Sequence, residues 1–269
     1  KKILKKYRVF PRRKLGQNFL IDKKVLGKII ETANLSKEDT ILEIGPGIGN
    51  LTIELAKRVK KVIAVEKDKK MVKILKERLE KERVENIEIF NEDILRFLPS
   101  FNPKTAYKVV ANIPYYLTSR LIRNLLETKK KPQLIVLMVQ KEVAQRICAK
   151  PPNMSVLAVS VQFYAKPEII SFVSKKSFWP SPKVDSAIIK ISNIKNQKSK
   201  IDVDLFFKIV RAGFSQPRKL LINNLSKKLN LNKERVKNWL SKNKIKPTQR
   251  AETLKVEGWK KLTKSFKMV

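Results

Sequence analysis

Short apolar segments alternate with amphipathic segments along the first 150 residues. Five of the apolar segments indicate strands, at 41–45, 61–66, 87–93, 107–113 and 133–139. Apolar residues at helical spacing lie between them and in an earlier segment, at 22–35, 50–58, 69–82, 118–127 and 141–149. Strands that are apolar on nearly every position are buried on both faces. The alternation therefore predicts a parallel sheet covered by helices.

The pattern changes in the second half of the chain. Two strand candidates, 168–174 and 185–192, have no helix between them and predict an antiparallel pair at the sheet edge. A polar, charged stretch over 193–202 predicts a linker. Helical patterns with Lys and Arg on the opposite face follow, near 203–213, 218–229, 233–242 and 256–266. We therefore expect an α/β domain over 1–192 and a small, basic, all-helical domain over 203–269.

The charge of the chain is strongly positive and concentrated at its two ends. Lys and Arg number 61 against 24 Asp and Glu, which gives a formal net charge of +37. Residues 1–28 carry 11 basic residues and 1 acidic residue, and residues 190–269 carry 22 and 5. Adaptation to heat would add Glu together with Lys. An anionic membrane partner or a merely solubilising surface would also account for such a charge, but the basic ends favour nucleic acid as the partner.

Nothing in the sequence favours a membrane or export. The longest apolar run, 134–139, is far shorter than the roughly 20 residues that a spanning helix needs. The basic start of the chain lacks the apolar stretch of a secretory signal. A single cysteine suits a reducing compartment. We therefore expect a cytoplasmic protein.

Histidine is absent, and Cys148 is the only cysteine. Ser-His-Asp and Cys-His catalysis, imidazole bases and His metal ligands are therefore excluded. An intrachain disulfide and a thiolate zinc cluster are excluded as well, and we expect no metal. Cys148 is expected to act as a small core hydrophobe, because nothing nearby in the sequence offers a base. The chemistry has to use carboxylates, amides, aromatic rings or the backbone.

Three glycines spaced by two follow the first predicted strand, at Gly45, Gly47 and Gly49. Glycine allows a tight turn and lets a ligand lie against the backbone. A dinucleotide site would carry G-x-G-x-x-G, whereas here the third glycine comes one residue early. Glu43, just before the loop, would repel a phosphate but can pair with an ammonium group. The alternative is a tight strand-to-helix turn with no ligand.

Acidic residues also end the next two predicted strands. Glu66 ends the second, where a carboxylate accepts hydrogen bonds from the two hydroxyls of a ribose. Asp93 ends the third, where it can accept from the exocyclic amine of an adenine. Asp93 has a second interpretation, as the N-cap of a turn that begins at Ile94.

The most specific local motif is the end of the fourth strand, Asn112-Ile113-Pro114-Tyr115. The lone pair of an aromatic amine such as adenine N6 is delocalised into the ring, so the nitrogen is a poor nucleophile. The Asn112 side-chain oxygen and the Ile113 carbonyl can each accept one N–H and aim that lone pair at an electrophilic methyl group. Pro114 has a fixed φ and helps to aim this carbonyl, and Tyr115 can stack on the base. The alternative is a plain strand-to-turn corner.

The chain resembles the class I S-adenosylmethionine-dependent rRNA adenine N6-dimethyltransferases over nearly its whole length. The matching segments are KLGQNFL at 14–20, EIGPGIGNLT at 43–52, Glu66, NED at 91–93, NIPYYLTS at 112–119 and FWPSPKVDSA at 178–187. The resemblance implies a Rossmann-like class I methyltransferase sheet, mostly parallel with an antiparallel edge, and a small C-terminal all-helical domain. It also implies S-adenosylmethionine as the cofactor.

The resemblance implies roles for individual residues as well. With Glu43 and Gly47 of the glycine loop, the expected cofactor contacts are Asn18, Leu20, Gly45, Glu66, Asp93 and Asn112. Phe178 would help to sandwich the target adenine against Tyr115, unless it only fills the edge of the core. The expected phosphate contacts are Arg12, Arg13, Lys14, Arg218 and Lys219.

Later segments bear on the branch of the family. AGFSQPRKLLINNL at 212–225 resembles a basic family motif, with Pro217 where Arg is usual. RAETL at 250–254 resembles the small-subunit branch. Tyr116 stands where a smaller polar residue is more common, and its effect on base stacking is left open.

We therefore expect an enzyme that transfers methyl groups to N6 of two adjacent adenosines near the 3′ end of small-subunit (16S) rRNA. Its expected substrate is the rRNA in a pre-assembled ribosomal subunit, and it is expected to act as a monomer. The alternatives are a methyltransferase of the large-subunit rRNA and a non-catalytic RNA-binding factor.

Overall fold

The computed structural model describes Tyr7, Pro11, residues 16–195 and residues 201–266. Within these ranges the chain forms two compact units. The sheet unit comprises the described residues up to Ala144 and the segment Pro167–Ile194. The helical unit comprises Gln145–Lys166 and the described residues from Lys195 onwards.

The strands form one large sheet and one small one. In chain order they are β1 (Phe19–Leu20), β2 (Thr40–Ile44), β3 (Lys61–Val65), β4 (Ile87–Phe90), β5 (Tyr107–Asn112), β6 (Leu134–Gln140), β7 (Lys166–Val173), β8 (Phe178–Trp179) and β9 (Ser186–Ser192). The seven-stranded sheet has the order β4-β3-β2-β5-β6-β9-β7. Its first five strands pair in parallel, and β9 pairs antiparallel with β6. The predicted parallel sheet with an antiparallel edge is confirmed.

Helices of the sheet unit follow the strands in turn. They are α1 (Lys23–Ala33), α2 (Asn50–Ala56), α3 (Lys69–Lys81), α4 (Ile94–Ser100), α5 (Thr118–Glu127) and α6 (Lys141–Ile147), the last of which extends into the helical unit. The central strands contribute fully buried residues such as Ile41, Val110 and Val136, and α1 packs Ile29 against them. Each Å² of apolar surface buried between these strands and α1 stabilises the folded sheet unit by about 25 cal/mol. The sheet thus holds its strand ends rigidly.

The small sheet joins two segments that are distant in the sequence. β1 pairs antiparallel with β8, so that Phe19 lies opposite Trp179 and Leu20 opposite Phe178. Two-residue strands leave no periodic signal, and the hydrophobic pattern therefore does not predict this pairing. The pairing therefore holds residues 1–21, which we call the leader segment, against the sheet unit at Phe19 and Leu20.

The helical unit is built from five helices in the described residues. They are α7 (Val156–Tyr164), α8 (Val203–Gly213), α9 (Leu221–Leu229), α10 (Lys233–Lys242) and α11 (Val256–Ser265). In its core the rings of Phe163 on α7 and Phe206 on α8 stack with centroids 4.1 Å apart. The indole of Trp259 is fully buried beside Gly213. The basic, all-helical character predicted for the C-terminal region is confirmed.

The two units do not coincide with the domains expected over 1–192 and 203–269. The segment Gln145–Lys166 belongs to the helical unit, because its helix α7 packs against α8. Part of the expected linker, 196–200, lies outside the described residues. The exact domain bounds therefore stay a prediction. In the ranges that the structure describes, no helix has the length and apolar character needed to cross a bilayer.

Candidate active site

A cleft opens at the carboxyl ends of the parallel strands. It is lined by predicted residues from the leader, the glycine loop and three later strand ends, namely Asn18, Leu20, Glu43, Gly45, Gly47, Glu66, Asp93, Asn112, Ile113, Pro114 and Tyr115. Strand β2 pairs with β3 on one side and with β5 on the other, so the chain order reverses beside it. Such a switch point at the carboxyl edge is where open α/β sheets bind ligands. The fold therefore brings these eleven residues together as one site.

The glycine loop needs its glycines for backbone and packing reasons. Gly45, Gly47 and Gly49 all have positive φ, at 66°, 57° and 81°. A Cβ on Gly49 would lie 2.4 Å from Cδ1 of Leu75, and one on Gly47 would lie 3.0 Å from the ring of Phe19. A side chain at Gly47 or Gly49 would strain the backbone and would overlap with Phe19 or Leu75, respectively. The loop is thus fixed between α3 and the leader.

Glu43, at the end of β2, is buried with 1% exposure. Its Oε2 atom has no hydrogen-bond partner among the described residues. Burial raises the pKa of Glu43 to about 8; the nearby Thr52 hydroxyl lowers it and the charge of Glu66 raises it further. An unpaired buried carboxylate oxygen is costly until a cation or an N–H donor reaches it. Glu43 is therefore suited to receive a cationic group of a ligand.

Both oxygens of Glu66 are held by backbone amides. Oε2 accepts from the N–H of Gly47 at 3.0 Å and Oε1 accepts from the N–H of Asp68 at 2.8 Å. Burial raises the pKa of Glu66, and the two backbone hydrogen bonds oppose this shift. Each carboxylate oxygen keeps further acceptor capacity. The side chain is thus pre-oriented towards the cleft, as binding two ribose hydroxyls would require.

Asp93 has two partners in this structure. Its Oδ1 accepts from the N–H of Leu95 at 2.9 Å and caps α4, and its Oδ2 pairs with the ammonium of Lys67 at 2.8 Å. The hydrogen bond from Lys67 is the main reason that the pKa of Asp93 is lowered. The N-cap interpretation is confirmed, and the adenine contact stays a prediction. Lys67 follows Glu66 directly in the chain and also lines the cleft, although the sequence predicted no role for it.

The Asn112 amide is oriented by the leader segment. Its Nδ2 donates to the backbone carbonyl of Asn18 at 3.1 Å. Because the nitrogen is engaged there, the other end of the amide, Oδ1, is the acceptor that remains for a ligand. Asn112 ends β5, and Ile113 and Pro114 carry the chain into a short 3-10 helix over Tyr115–Leu117.

Tyr115 is fixed by a residue for which the sequence predicted no role. Its hydroxyl lies 2.6 Å from Oγ of Ser186, the fully buried first residue of β9. Burial raises the pKa of Tyr115, and this hydrogen bond opposes the shift. Ser186 stands within the FWPSPKVDSA segment, but its contact with Tyr115 spans 71 residues and left no local signal. The ring of Tyr115 is thereby held at the cleft.

Three further residues, for which the sequence predicted no role, connect the leader segment to the glycine loop and to α3. Asn50 Nδ2 donates to the carbonyl of Leu20 at 2.9 Å, and Arg78 Nη1 donates to Asn50 Oδ1 at 3.0 Å and also to the carbonyl of Ile48. Gln17 Nε2 donates to Asp68 Oδ2 at 2.9 Å. These contacts connect the leader, the glycine loop and α3.

Phe178 is not brought into the cleft. It is 3% exposed, lies opposite Leu20 in the small sheet and packs in the core of the sheet unit. This placement matches the alternative in which Phe178 fills the core edge. Its stacking on the target adenine stays a prediction.

The structure describes two of the five residues that are predicted to contact phosphates. Arg12, Arg13 and Lys14 lie outside the described residues. Arg218 and Lys219 are exposed in the turn between α8 and α9. The turn is held by Asn224 Nδ2, which donates to the carbonyls of Gly213 and Gln216 at 2.7 and 2.9 Å. Both cations therefore stand on an ordered turn of the helical unit, and their contact with RNA stays a prediction.

No group of three or more acidic or cysteine side chains that could hold a metal occurs in the described part of the chain. In the cleft, Glu66 instead accepts from backbone amides, Asp93 pairs with Lys67, and the Oε2 atom of Glu43 has no hydrogen-bond partner among the described residues.

Known proteins resemble this chain in both sequence and structure. A family model described as ribosomal RNA adenine dimethylase matches residues 10–268. A ribosomal RNA small subunit methyltransferase A of Dehalococcoides mccartyi (strain CBDB1) is 44% identical over 268 residues, which cover 97% of this chain and 90% of the relative.

Two solved structures superpose on most of the chain. A dimethyladenosine transferase from Plasmodium falciparum matches with a TM-score of 0.79 and 31% identity over 93% of this chain and 98% of its own. The 23S rRNA methyltransferase ErmE matches with a TM-score of 0.72 and 28% identity over 92% of this chain and 98% of its own. The expected class I methyltransferase fold is thereby confirmed. With a family model that spans almost every residue and a cleft formed by the motif residues, the chain belongs to the ribosomal RNA adenine dimethylase family.

Proposed function

We propose that this chain transfers methyl groups from S-adenosylmethionine to N6 of two adjacent adenosines near the 3′ end of small-subunit rRNA. The observation that carries the proposal is the orientation of Asn112, whose Nδ2 is bound to the Asn18 carbonyl and whose Oδ1 is left as an acceptor at the cleft. The small-subunit relative at 44% identity supports this choice of substrate.

The residues of the cleft fit S-adenosylmethionine. The unpaired, buried Oε2 of Glu43 suits the ammonium group of the methionine part, and the pre-oriented Glu66 suits the ribose hydroxyls. The loop at Gly47 has no Cβ to obstruct a ligand. Asp93 would take the adenine amine while it caps α4. When bound, this cofactor supplies an electrophilic methyl group on a positively charged sulfur.

Two acceptors activate the target amine. Asn112 Oδ1 and the Ile113 carbonyl would each accept one N–H of adenine N6, which localises the nitrogen lone pair and aims it along the line of transfer. Tyr115, fixed through its hydroxyl by Ser186, offers its ring to the flipped base. As the nitrogen–carbon bond forms and the methyl–sulfur bond breaks, the sulfur would leave as a neutral thioether and N6 would become cationic and strongly acidic. Its proton would pass to water, so no imidazole base is needed. Two transfers to each of the two adenosines complete the product. In the second transfer N6 already carries one methyl group and a single N–H, so only one of the two acceptors binds an N–H.

RNA is positioned by basic residues outside the cleft. Arg218 and Lys219 on the helical unit, together with Arg12, Arg13 and Lys14 of the leader, would contact phosphates. Such contacts position the RNA without reading its sequence, so recognition of the two adenosines requires the folded context of a pre-assembled subunit. The protein would act as a monomer in the cytoplasm.

The 28% identity and full-length superposition with a 23S rRNA methyltransferase support a second candidate, methylation of large-subunit rRNA. The two candidates are separated by incubating purified small and large subunits with the protein and cofactor that carries a labelled methyl group. Label in the small-subunit rRNA supports the proposal, and label confined to the large-subunit rRNA rejects it.

A further inference from the structure

An exposed aromatic residue lies near the end of β7, outside the cleft described above. Phe172, close to the end of β7, is 55% exposed, and the ammonium of Lys141 lies 5.2 Å from its ring centroid. This distance is within the range of a cation–π contact. In the segment Pro167–Ile194, no other large apolar side chain is so exposed, and Phe172 takes no part in the core of the sheet unit. Packing therefore does not explain an aromatic ring at this position.

A short series of contacts connects this residue to Tyr115. The Tyr115 hydroxyl lies 2.6 Å from Oγ of Ser186, and Ser186 is paired with Gln140 at the end of β6. Lys141 comes next in the chain, and its N–H donates to the carbonyl of Asp185 at 3.0 Å. The pair formed by Phe172 and Lys141 therefore stands at the carboxyl edge of the sheet, on the side of Tyr115 away from the glycine loop.

The connection that follows Phe172 in the chain carries three exposed lysines. Lys175, Lys176 and Lys183 are exposed on the connection between β7 and β9. Among the described residues, none of these lysines, nor Lys141, forms an ion pair with a carboxylate. The acid on the same connection, Asp185, uses Oδ1 to accept from the backbone N–H of Lys175. The positive charge of this edge is thus available to a polyanion.

An exposed ring in contact with one lysine, followed in the chain by a connection that carries further lysines without ion pairs, matches the way proteins hold unpaired nucleotides. The ring stacks on a base whatever its identity, and the lysines contact the phosphates on either side of it. A protein partner would instead require a larger apolar patch than a single ring. The charge and the isolation of Phe172 therefore favour RNA as the occupant.

We propose that Phe172, held by Lys141, stacks on an unpaired rRNA nucleotide that flanks the target adenosine and so helps to keep the target base in the cleft. This inference rests on the proposed function and specifies a further point at which the enzyme holds its substrate. Phe172 is a positioning residue in this scheme, because the base that it contacts is not the one that reacts.

The kinetic test compares Phe172→Ala, Phe172→Trp and Phe172→Leu with the unaltered protein. Loss of one base–aromatic stack raises KM for small subunits by about 10-fold in Phe172→Ala. We expect kcat and the Kd for S-adenosylmethionine to stay within about twofold. Trp restores KM because it keeps a π-face, whereas Leu does not. The matched control is Val156→Ala, which shortens another exposed apolar side chain, on the helical unit.

A crosslinking test does not depend on turnover. A photoreactive p-azidophenylalanine is placed at position 172 in the full chain, and at position 156 as the control, and each protein is irradiated with purified small subunits. The proposal predicts a crosslink from position 172 to a nucleotide beside the methylated adenosines.

Three results would overturn the inference: an unchanged KM in Phe172→Ala, full rescue by Leu, or a crosslink from position 172 to a ribosomal protein instead of rRNA. Each of them leaves the proposed function intact as long as the unaltered protein methylates small-subunit rRNA. Failure of the unaltered protein to methylate any rRNA rejects the proposed function itself.

Discussion

The Asn112 amide is oriented by one backbone contact, and catalysis depends on that orientation. Its nitrogen donates to the Asn18 carbonyl at 3.1 Å, so the leader segment determines which end of the amide faces a substrate amine. Sequence reasoning identified Asn112 as an acceptor from its motif. The contact that orients the side chain joins residues 94 positions apart, and no local pattern encodes it.

Replacing Asn112 with Ala tests this role. We expect the rate of methyl transfer to fall by about 100- to 1000-fold, because an acceptor that acts in the transition state is lost. The affinity for S-adenosylmethionine should change by about tenfold at most, since the other predicted cofactor contacts remain. Single-turnover assays and calorimetric titration measure the two quantities. Asn102→Ala, at an exposed loop position, is the matched control, and an unchanged turnover in Asn112→Ala would contradict the mechanism.

Glu43 predicts a specific pH dependence of stability. Its pKa is about 8 in the folded protein against 4.5 for a solvated glutamate. A raised folded pKa contributes stability that is fully present below the unfolded pKa and is lost as pH rises through the folded pKa. Relative to Glu43→Gln, the free energy of unfolding of the unaltered protein should therefore decline between about pH 4.5 and pH 8, by at most about 1.4 kcal/mol per pH unit.

Urea denaturation of both proteins at several pH values between about 5 and 8, without cofactor, measures this difference. A difference that is constant over the range would show that Glu43 is not protonated in the folded protein near neutral pH.

At the scale of elements, the two glycines Gly49 and Gly27 have opposite roles. Gly49 stands at the N-cap of α2 with φ 81°, and a Cβ there would meet Leu75 at 2.4 Å. Gly27 lies inside α1, and a Cβ there would meet nothing within 4 Å. Gly49 is thus required by the backbone conformation and packing of the glycine loop, whereas Gly27 is not required by packing and only lowers the stability of α1.

Alanine at each position measures this contrast. Gly49→Ala should lower the free energy of unfolding by about 1–3 kcal/mol through overpacking and backbone strain. Gly27→Ala should raise it by up to about 1 kcal/mol, because alanine has the higher helix propensity. Denaturant melts of the two variants provide the comparison. Equal effects of the two substitutions would refute the packing proposed for the loop.

The spacing of apolar residues predicted the amphipathic helices well, but it missed features that depend on contacts between distant parts of the chain. The expected helices over 118–127, 203–213 and 233–242 begin and end as predicted, because each has one apolar and one polar face. The helix α7 was missed, since it is apolar almost all round and shows no polar face. The contact of Tyr115 with Ser186 was missed as well, since such long-range pairs depend on the folded sheet and not on neighbouring residues.

At the scale of the whole molecule, the net charge of +37 is unevenly distributed between the cleft and the rest of the chain. The cleft itself is lined by Glu43, Glu66 and Asp93, which are suited to a cationic cofactor. Lys67 also lines the cleft but is paired with Asp93, whereas Arg218 and Lys219 are exposed on the helical unit. The absence of histidine is compatible with this division, because the proposed reaction uses an amide and a carbonyl and the RNA contacts use lysine and arginine.

The double variant Arg218→Ala/Lys219→Ala tests the phosphate contacts. If both residues contact phosphates, the slope of log K for small-subunit binding against log salt should become less steep by about 1 for each contact. Binding is measured over a range of salt concentrations. The matched control Lys60→Ala/Lys104→Ala removes the same charge from exposed positions at the amino edge of the sheet. Identical slopes for the two double variants would contradict a specific role for the turn.

The most direct measurement of the proposed function is mass spectrometry of rRNA fragments after incubation of purified, unmethylated small subunits with the protein and S-adenosylmethionine. We predict two added methyl groups on each of two adjacent adenosines near the 3′ end of the small-subunit rRNA, and almost none with Asn112→Ala. Methylation at another position, or product from Asn112→Ala equal to that of the unaltered protein, would contradict the proposed reaction.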